Sequence, residues 1–266
     1  MRKLDFLIIG TQKAGTTSLY EYITQHPQLY LPKVKEIQYF VDERFYNKGE
    51  SYLNSFTQDR KNETIGGMAY VHMLPSKEAP LRVKAYNPDM KMIVMLRDPV
   101  KRAYSAYNFA LKNGWENKGV SFIKSLELEP QRLAGNYTEQ YELAYFFNGL
   151  YHQHLLNWLD HFPKQQILVM SDTDLRNHSE VTLAKVFDFL GVDNQQIETN
   201  IEHNKAGGVK IPRLQRALMN KESKWKQRAG SLLPQKAKVA IRSTLMKPIK
   251  TWNMMEEASR PITEEE

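Results

Sequence analysis

The stretch that most constrains the fold is FLIIGTQKAGTTSLYEYI, residues 6 to 23. A short, continuous apolar run ends at Gly10, which reads as a buried strand. From Thr16 or Thr17 onward, Leu19, Tyr22 and Ile23 recur at helical spacing. Between them lies a polar loop with glycines at 10 and 15. A glycine-bearing loop between strand and helix turns backbone N–H groups and a helix N-terminus toward an anion. Gly10 and Gly15 keep the GxxxxG spacing of the P-loop, yet Thr16 stands where its lysine belongs. In the triphosphate arrangement that lysine reaches the β/γ-phosphates and a hydroxyl holds Mg²⁺. Here the lysine is Lys13, inside the loop, with Thr17 and Ser18 adding hydroxyls. The expected ligand is a group attached to a single 5′-phosphate, with no metal.

Two more apolar runs, KMIVML (91–96) and QILVM (166–170), are each followed by a helical pattern. Continuous apolar strands alternating with helices predict an α/β three-layer domain, its parallel sheet covered on both faces. Asp98 and Pro99 read as N-cap and first residue of a helix. YELAYFFNGLYHQHLLNWLDHF (141–162) reads as one long amphipathic helix, or two, stopped at Pro163. SEVTLAKVFDFLG (179–191) reads as a helix with a Ser N-cap and a terminating glycine. The polar stretches 33–60 and 112–140 read as irregular, cleft-lining loops.

At 266 residues and 41% hydrophobic, the chain can bury a full core, and one domain over 1–266 is expected. No apolar run reaches the length of a transmembrane helix, and the N-terminal run is too short for a secretory leader. There is no cysteine, so disulfides, thiol chemistry and cysteine-ligated metals are excluded. A cytoplasmic location fits that composition. Of the net +7, residues 202–250 alone carry thirteen Lys/Arg against two Glu, which leaves the rest mildly acidic. The segment 214–266 is expected to be helical and basic, either facing an anionic partner or forming a solvated face.

TQKAGTTSL resembles the 5′-phosphosulfate loop of the sulfotransferases that use 3′-phosphoadenosine 5′-phosphosulfate (PAPS). MIVMLRDPVKRAYSAYNFAL (92–111) resembles their 3′-phosphate signature, an arginine ending a strand and a serine eight residues on. These are Arg97 and Ser105 here. HNKAGGVKIPR (203–213) is similar to the loop that closes over the 3′-phosphate. The likeness covers residues 4 to about 213 and is nearest to the carbohydrate branch, which includes heparan sulfate enzymes and bacterial relatives. It implies a P-loop-like domain and sulfuryl transfer from PAPS to a hydroxyl or amine, with 3′,5′-adenosine bisphosphate as product and no metal. It assigns donor binding to Gln12, Lys13, Ala14, Gly15, Thr16, Thr17, Ser18, Arg97, Ser105, Lys205, Gly207, Gly208 and Lys210. Lys13 then stabilises charge on the sulfonate and the leaving 5′-phosphate.

The acceptor's proton needs a base. LPKVKEIQYF (31–40) resembles the place where the carbohydrate branch carries a Lys/Asn-Glu pair followed by aromatics, which makes Glu36 the first candidate. The bland alternative pairs Glu36 with Lys33 or Lys35 on a solvated loop. His72, in GMAYVHMLP, sits where the cytosolic branch places a catalytic histidine and is the rival base. Two departures stand out: IGGMAY has Gly66 and Gly67 where relatives carry a lysine, and Gln38 replaces a histidine. The family's last helix is missing after PITEEE, so a truncated chain is expected. His152, His154 and His161 lack a carboxylate cluster and read as structural or surface groups. Tyr104, Tyr107, Phe109, Tyr145, Phe146 and Phe147 read mostly as core. The rival functions are an ATP- or GTP-dependent P-loop kinase, a non-catalytic binder of acidic polymers, and an inactive relative. The expected acceptor is an anionic glycan or a small natural product, and no nucleic-acid partner is expected.

Overall fold

The computed structural model describes residues 2–61 and 64–199. Five strands are present there: β1 (Phe6–Gly10), β2 (Leu29–Tyr30), β3 (Ile65–Ala69), β4 (Lys91–Leu96) and β5 (Ile167–Ser171). The first helices are α1 (Thr16–Thr24), α2 (Glu43–Tyr46), α3 (Glu50–Asn54), α4 (Ala79–Tyr86) and α5 (Pro99–Asn113). They are followed by α6 (Phe122–Glu127), α7 (Glu129–Leu133), α8 (Tyr137–Glu142), α9 (Tyr151–Leu159), α10 (Asp172–Asn177) and α11 (Ser179–Leu190). Two compact units contain them, one formed by the chain up to Arg102 together with the part from Asn148, the other by Ala103–Phe147.

The first unit holds a parallel sheet of order β2-β3-β1-β4-β5, in which Ile8 pairs with Ala69 on one side and Ile93 on the other. Phe6 and Ile8 pack with Ile93, Met95, Leu19, Ile23 and α11 residues Leu183, Val186 and Phe187. Their neighbours Leu7, Ile9, Met92 and Val94 are equally buried, so both faces of the central strands are covered. Each such aliphatic side chain contributes roughly 1.5–3 kcal/mol on burial. The expected parallel sheet is therefore present. At the edge strand β5 both-face burial fails, because Val169 is 45% exposed.

β2 and β3 carry no apolar run of the expected kind. β3 is IGGMA, and its glycines are required by close approach rather than by a turn. A Cβ on Gly67 would lie 2.2 Å from the Phe6 ring, and one on Gly66 would lie 2.4 Å from the Arg60 guanidinium. Arg60 bonds Asp5, which in turn accepts from the Gly66 N–H at 2.8 Å.

Other boundaries differ from the sequence reading. Residues 141–162, read as one helix or two, are split between two: α8 ends at Glu142 and α9 begins at Tyr151. The Glu129 carboxylate accepts from the N–H groups of Phe146 and Phe147, taking both out of any continuous helical ladder. Ser179 is the first helical residue of α11 and not its cap, whereas Gly191 at φ 78 ends that helix as expected. The stretches 33–60 and 112–140, expected to be irregular, contain α2, α3 and α6 to α8. Asp98 does cap α5, accepting from the Lys101 N–H at 2.8 Å.

In the second unit Tyr104 packs edge to face on Phe122 and Tyr107 on Tyr145, and Tyr145 also meets a buried ion pair. Arg132 Nη1 lies 2.9 Å from Glu116 Oε2, and the Tyr145 hydroxyl donates to the same oxygen at 3.0 Å. Burial, then Glu116, push the Tyr145 phenol's ionisation far up, so it stays a donor. Phe146, one of the six aromatics read mostly as core, is 63% exposed.

Candidate active site

The site is built in the first unit at the C-terminal ends of β1, β3 and β4, where ligands gather in open α/β sheets. Gly10 closes β1 because a Cβ there would fall 2.9 Å from that of Leu74. The Thr11 N–H donates to the Met95 carbonyl at 2.8 Å and fastens the loop to β4. Lys13 at φ 69 and Gly15 at φ 81 are both left-handed. Such residues interleaved with ordinary ones turn N–H groups into one concavity suited to an anion. Gly15 caps α1 with no side chain, so no capping group occupies the N–H groups of the first turn. Thr16 is buried and Thr17 and Ser18 half-buried at that opening, while Gln12 and Ala14 are buried behind it.

Glu36 comes from the segment between β2 and α2. Among the described residues, Lys13 and Glu36 are the two non-glycine residues at positive φ, 69 and 65. Each costs about 1–2 kcal/mol of local backbone energy. Such strain persists where surrounding structure imposes it, often at functional sites. The Glu36 N–H donates to the Ala69 carbonyl at 3.1 Å, and its Oε2 accepts from the Val71 N–H at 3.1 Å. Lys35 Nζ donates to Glu36 Oε1 at 2.7 Å and to Thr17 Oγ1 at 3.2 Å, with Thr16 Oγ1 at 3.5 Å. Tyr20 of α1 donates its hydroxyl to the Pro32 carbonyl, a second tie between the helix and this segment. Burial, then Glu21 and Glu36, raise the Tyr20 phenol well above its ordinary range and keep it protonated.

Arg97 follows the end of β4. Its Nη1 donates to the Lys13 carbonyl at 3.2 Å, and its Nε lies 3.6 Å from Asp172 Oδ2. The same Asp172 oxygen accepts from Arg176 Nη2 at 2.9 Å, and the Tyr151 hydroxyl donates to the Arg97 carbonyl at 2.9 Å. An arginine fork can meet a phosphate bidentately. Here two of its three nitrogens are engaged within the protein, so Arg97 is also a brace under the loop.

His72 is 2% exposed, edge-on to Tyr70 at 5.5 Å, one residue past the N–H that holds Glu36. Ser105 is half-buried on the part of α5 that belongs to the second unit. Lys205, Gly207, Gly208, Lys210 and the segment 214–266 lie outside the described residues. Two residues at the site were missed by the sequence reading. Lys35 was weighed only as an ion-pair partner of Glu36, and Asp172 not at all. The signal for Lys35 was a cation directly before the candidate base. Asp172 carried no signal, because only folding brings it beside Arg97. Lys33, the other expected partner of Glu36, lies 4.0 Å from Asp59 instead. Among the described residues no group of three or more His, Cys, Asp or Glu is arranged to hold a metal ion. His152 is exposed, His154 buried, and His161 Nδ1 bonds the Asn157 carbonyl at 2.9 Å.

The donor set is one of N–H groups, hydroxyls and cations, and both carboxylates in it are already paired with a cation. That arrangement suits a phosphate or sulfonate. Comparison with known proteins agrees. Human heparan sulfate glucosamine 3-O-sulfotransferase 3B1 is 33% identical over 206 residues, which cover 76% of this chain and 50% of that protein. The human bifunctional heparan sulfate N-deacetylase/N-sulfotransferase 3 is 31% identical over 199 residues, covering 70% of this chain and 22% of that one. The chain thus spans half or less of the length of these relatives. Among solved structures, a sulfotransferase from Alicyclobacillus acidocaldarius superposes with a TM-score of 0.67 at 28% identity. That match covers 77% of this chain and 87% of the other. The family model described as "Sulfotransferase domain" matches residues 3–231, and the chain belongs to that family.

Proposed function

We propose that this chain transfers the sulfuryl group of PAPS to a hydroxyl or amine of a carbohydrate acceptor, with Glu36 as general base. One observation carries the reading. Among the described residues the two strained non-glycine ones, Lys13 and Glu36, are the two that the chemistry asks for. Family membership and the heparan sulfate relatives support it, and a glycan of that kind is the acceptor we favour. When bound, the donor supplies the sulfuryl group and 3′,5′-adenosine bisphosphate as leaving nucleotide.

The chain's own residues would divide the work as follows. The N–H groups of the Gln12–Gly15 loop and the hydroxyls of Thr16, Thr17 and Ser18 hold the 5′ end. Lys13 neutralises charge developing there, the kind of fixed electrostatic support that dominates such transfers. Nη2 of Arg97 is left for the 3′-phosphate, the role the resemblance also gives to Ser105, Lys205, Gly207, Gly208 and Lys210. Glu36 removes the acceptor proton with a carboxylate already held at both oxygens, so no reorientation is needed. His72 is less suited to this step, since its ring is almost wholly buried against Tyr70. A cytoplasmic location is proposed alongside, from the cysteine-free composition, with cell fractionation as its check.

Turnover at saturating PAPS with a heparan-type acceptor tests the assignment. Glu36→Gln is expected to lose ~10²–10⁴-fold in kcat, and His72→Ala far less. Near-normal turnover by Glu36→Gln would refute the role.

A further inference from the structure

Lys35 stands between the loop and the base. Its ammonium has three donors, and the structure offers three acceptors: Glu36 Oε1 at 2.7 Å, Thr17 Oγ1 at 3.2 Å and Thr16 Oγ1 at 3.5 Å. Its side chain is only 19% exposed. Neighbours in extended backbone point to opposite sides. Glu36 is left-handed, and its carboxylate meets the Lys35 ammonium on one oxygen and the Val71 N–H on the other.

Two physical features set this pair apart from an ordinary ion pair. First, a cation beside the opening turn of a helix faces the positive end of the dipole. Lys35 sits at the opening of α1, whose cap Gly15 supplies no side-chain acceptor. The field there is improved by a further anion, beyond the single carboxylate of Glu36. Second, a hydroxyl that accepts from an ammonium directs its own proton away from it, toward another acceptor. Lys35 thereby sets Thr16 and Thr17 as donors to the loop's anion.

We infer that Lys35 is a second cation of the 5′-anion subsite, and that it positions Thr16, Thr17 and Glu36 for one transfer. This rests on the sulfotransferase reading above. Loop and base then share one ammonium, so filling the loop and aiming the carboxylate are linked.

The test uses the full chain with Lys35→Ala, Lys35→Gln and Lys35→Arg. Calorimetry compares 3′,5′-adenosine bisphosphate with adenosine 3′-monophosphate, which lacks the 5′ group. Loss of a charge-assisted contact predicts ~10-fold or more weaker bisphosphate binding by the Ala and Gln variants, with the monophosphate unchanged. Their kcat is expected to fall ~10²-fold while the acceptor KM stays within about twofold. Lys35→Arg, which keeps the charge, recovers part of both. Equal weakening of the two nucleotides, or unchanged affinity and kcat, overturns the inference. Should the Ala variant fail to fold, the Gln and Arg variants still decide. If the wild-type chain binds the bisphosphate and turns over and the Lys35 variants match it in both, this inference alone falls. A wild-type chain without affinity for the bisphosphate removes the sulfotransferase reading and this inference with it.

Discussion

Replacing Lys13 by glycine should make the protein more stable than replacing it by alanine, while both changes abolish turnover. The backbone at Lys13 has φ 69. An L-residue in that region costs about 1–2 kcal/mol, and glycine pays none of it. Against this, glycine loses more chain entropy on folding than alanine, about 0.4–1 kcal/mol. The net advantage of Lys13→Gly over Lys13→Ala is therefore about 1 kcal/mol. At this chain length that corresponds to about 2 °C in Tm. Both variants remove the same ammonium, so the comparison isolates the backbone from the charge. Urea unfolding gives the stability difference, and sulfuryl transfer from PAPS gives the activity. An alanine variant as stable as the glycine variant would refute the left-handed backbone. A glycine variant with wild-type turnover would refute the use made of the side chain.

Other outcomes follow from single contacts. Gly67→Ala places a methyl 2.2 Å from the Phe6 ring and should cost about 1–3 kcal/mol in urea unfolding, less in a Phe6→Leu background. An equal loss in both backgrounds would place the cause elsewhere. Because Arg97 Nη1 braces the Lys13 carbonyl, Arg97→Ala should weaken adenosine 5′-monophosphate as well as the bisphosphate, the latter more. Unchanged monophosphate binding in calorimetry would contradict the brace. Burial raises the Tyr86 phenol to about 12, and burial with Asp42 does the same for Tyr52. The fold favours the neutral phenols, so their contribution is whole below the unfolded value of about 10 and is lost as pH rises toward 12. Denaturation midpoints should fall between about pH 10 and pH 12, and fall less in Tyr86→Phe; identical profiles would argue against Tyr86.

The parts of the fold visible in the sequence are those where local pattern and tertiary demand coincide. FLIIG and KMIVML are central strands buried on both faces, so their apolar runs are continuous and easily read. Asp98 with Pro99 before α5, and Gly191 after α11, are local backbone chemistry. IGGMA concealed a strand because Phe6 and Arg60 occupy the space its side chains would need. No neighbouring residue in the sequence announces that. The break before α9 depends on Glu129 reaching the N–H groups of Phe146 and Phe147, a contact seventeen and eighteen positions away. At the site, the loop lysine and the glutamate were legible by resemblance and spacing. Their left-handed backbone, the bridge made by Lys35 and the hold of Asp172 on Arg97 were not. Each of those arises where segments distant in sequence converge on the ends of β1, β3 and β4.

The most direct measurement is a calorimetric titration of the chain with 3′,5′-adenosine bisphosphate and, separately, with ATP, each with and without Mg²⁺. A loop with its lysine at position 13, ahead of Gly15, should bind the bisphosphate tightly and without magnesium, and should prefer it to ATP. Magnesium-dependent binding of ATP, with no response to the bisphosphate, would contradict the assignment and return the loop to triphosphate chemistry.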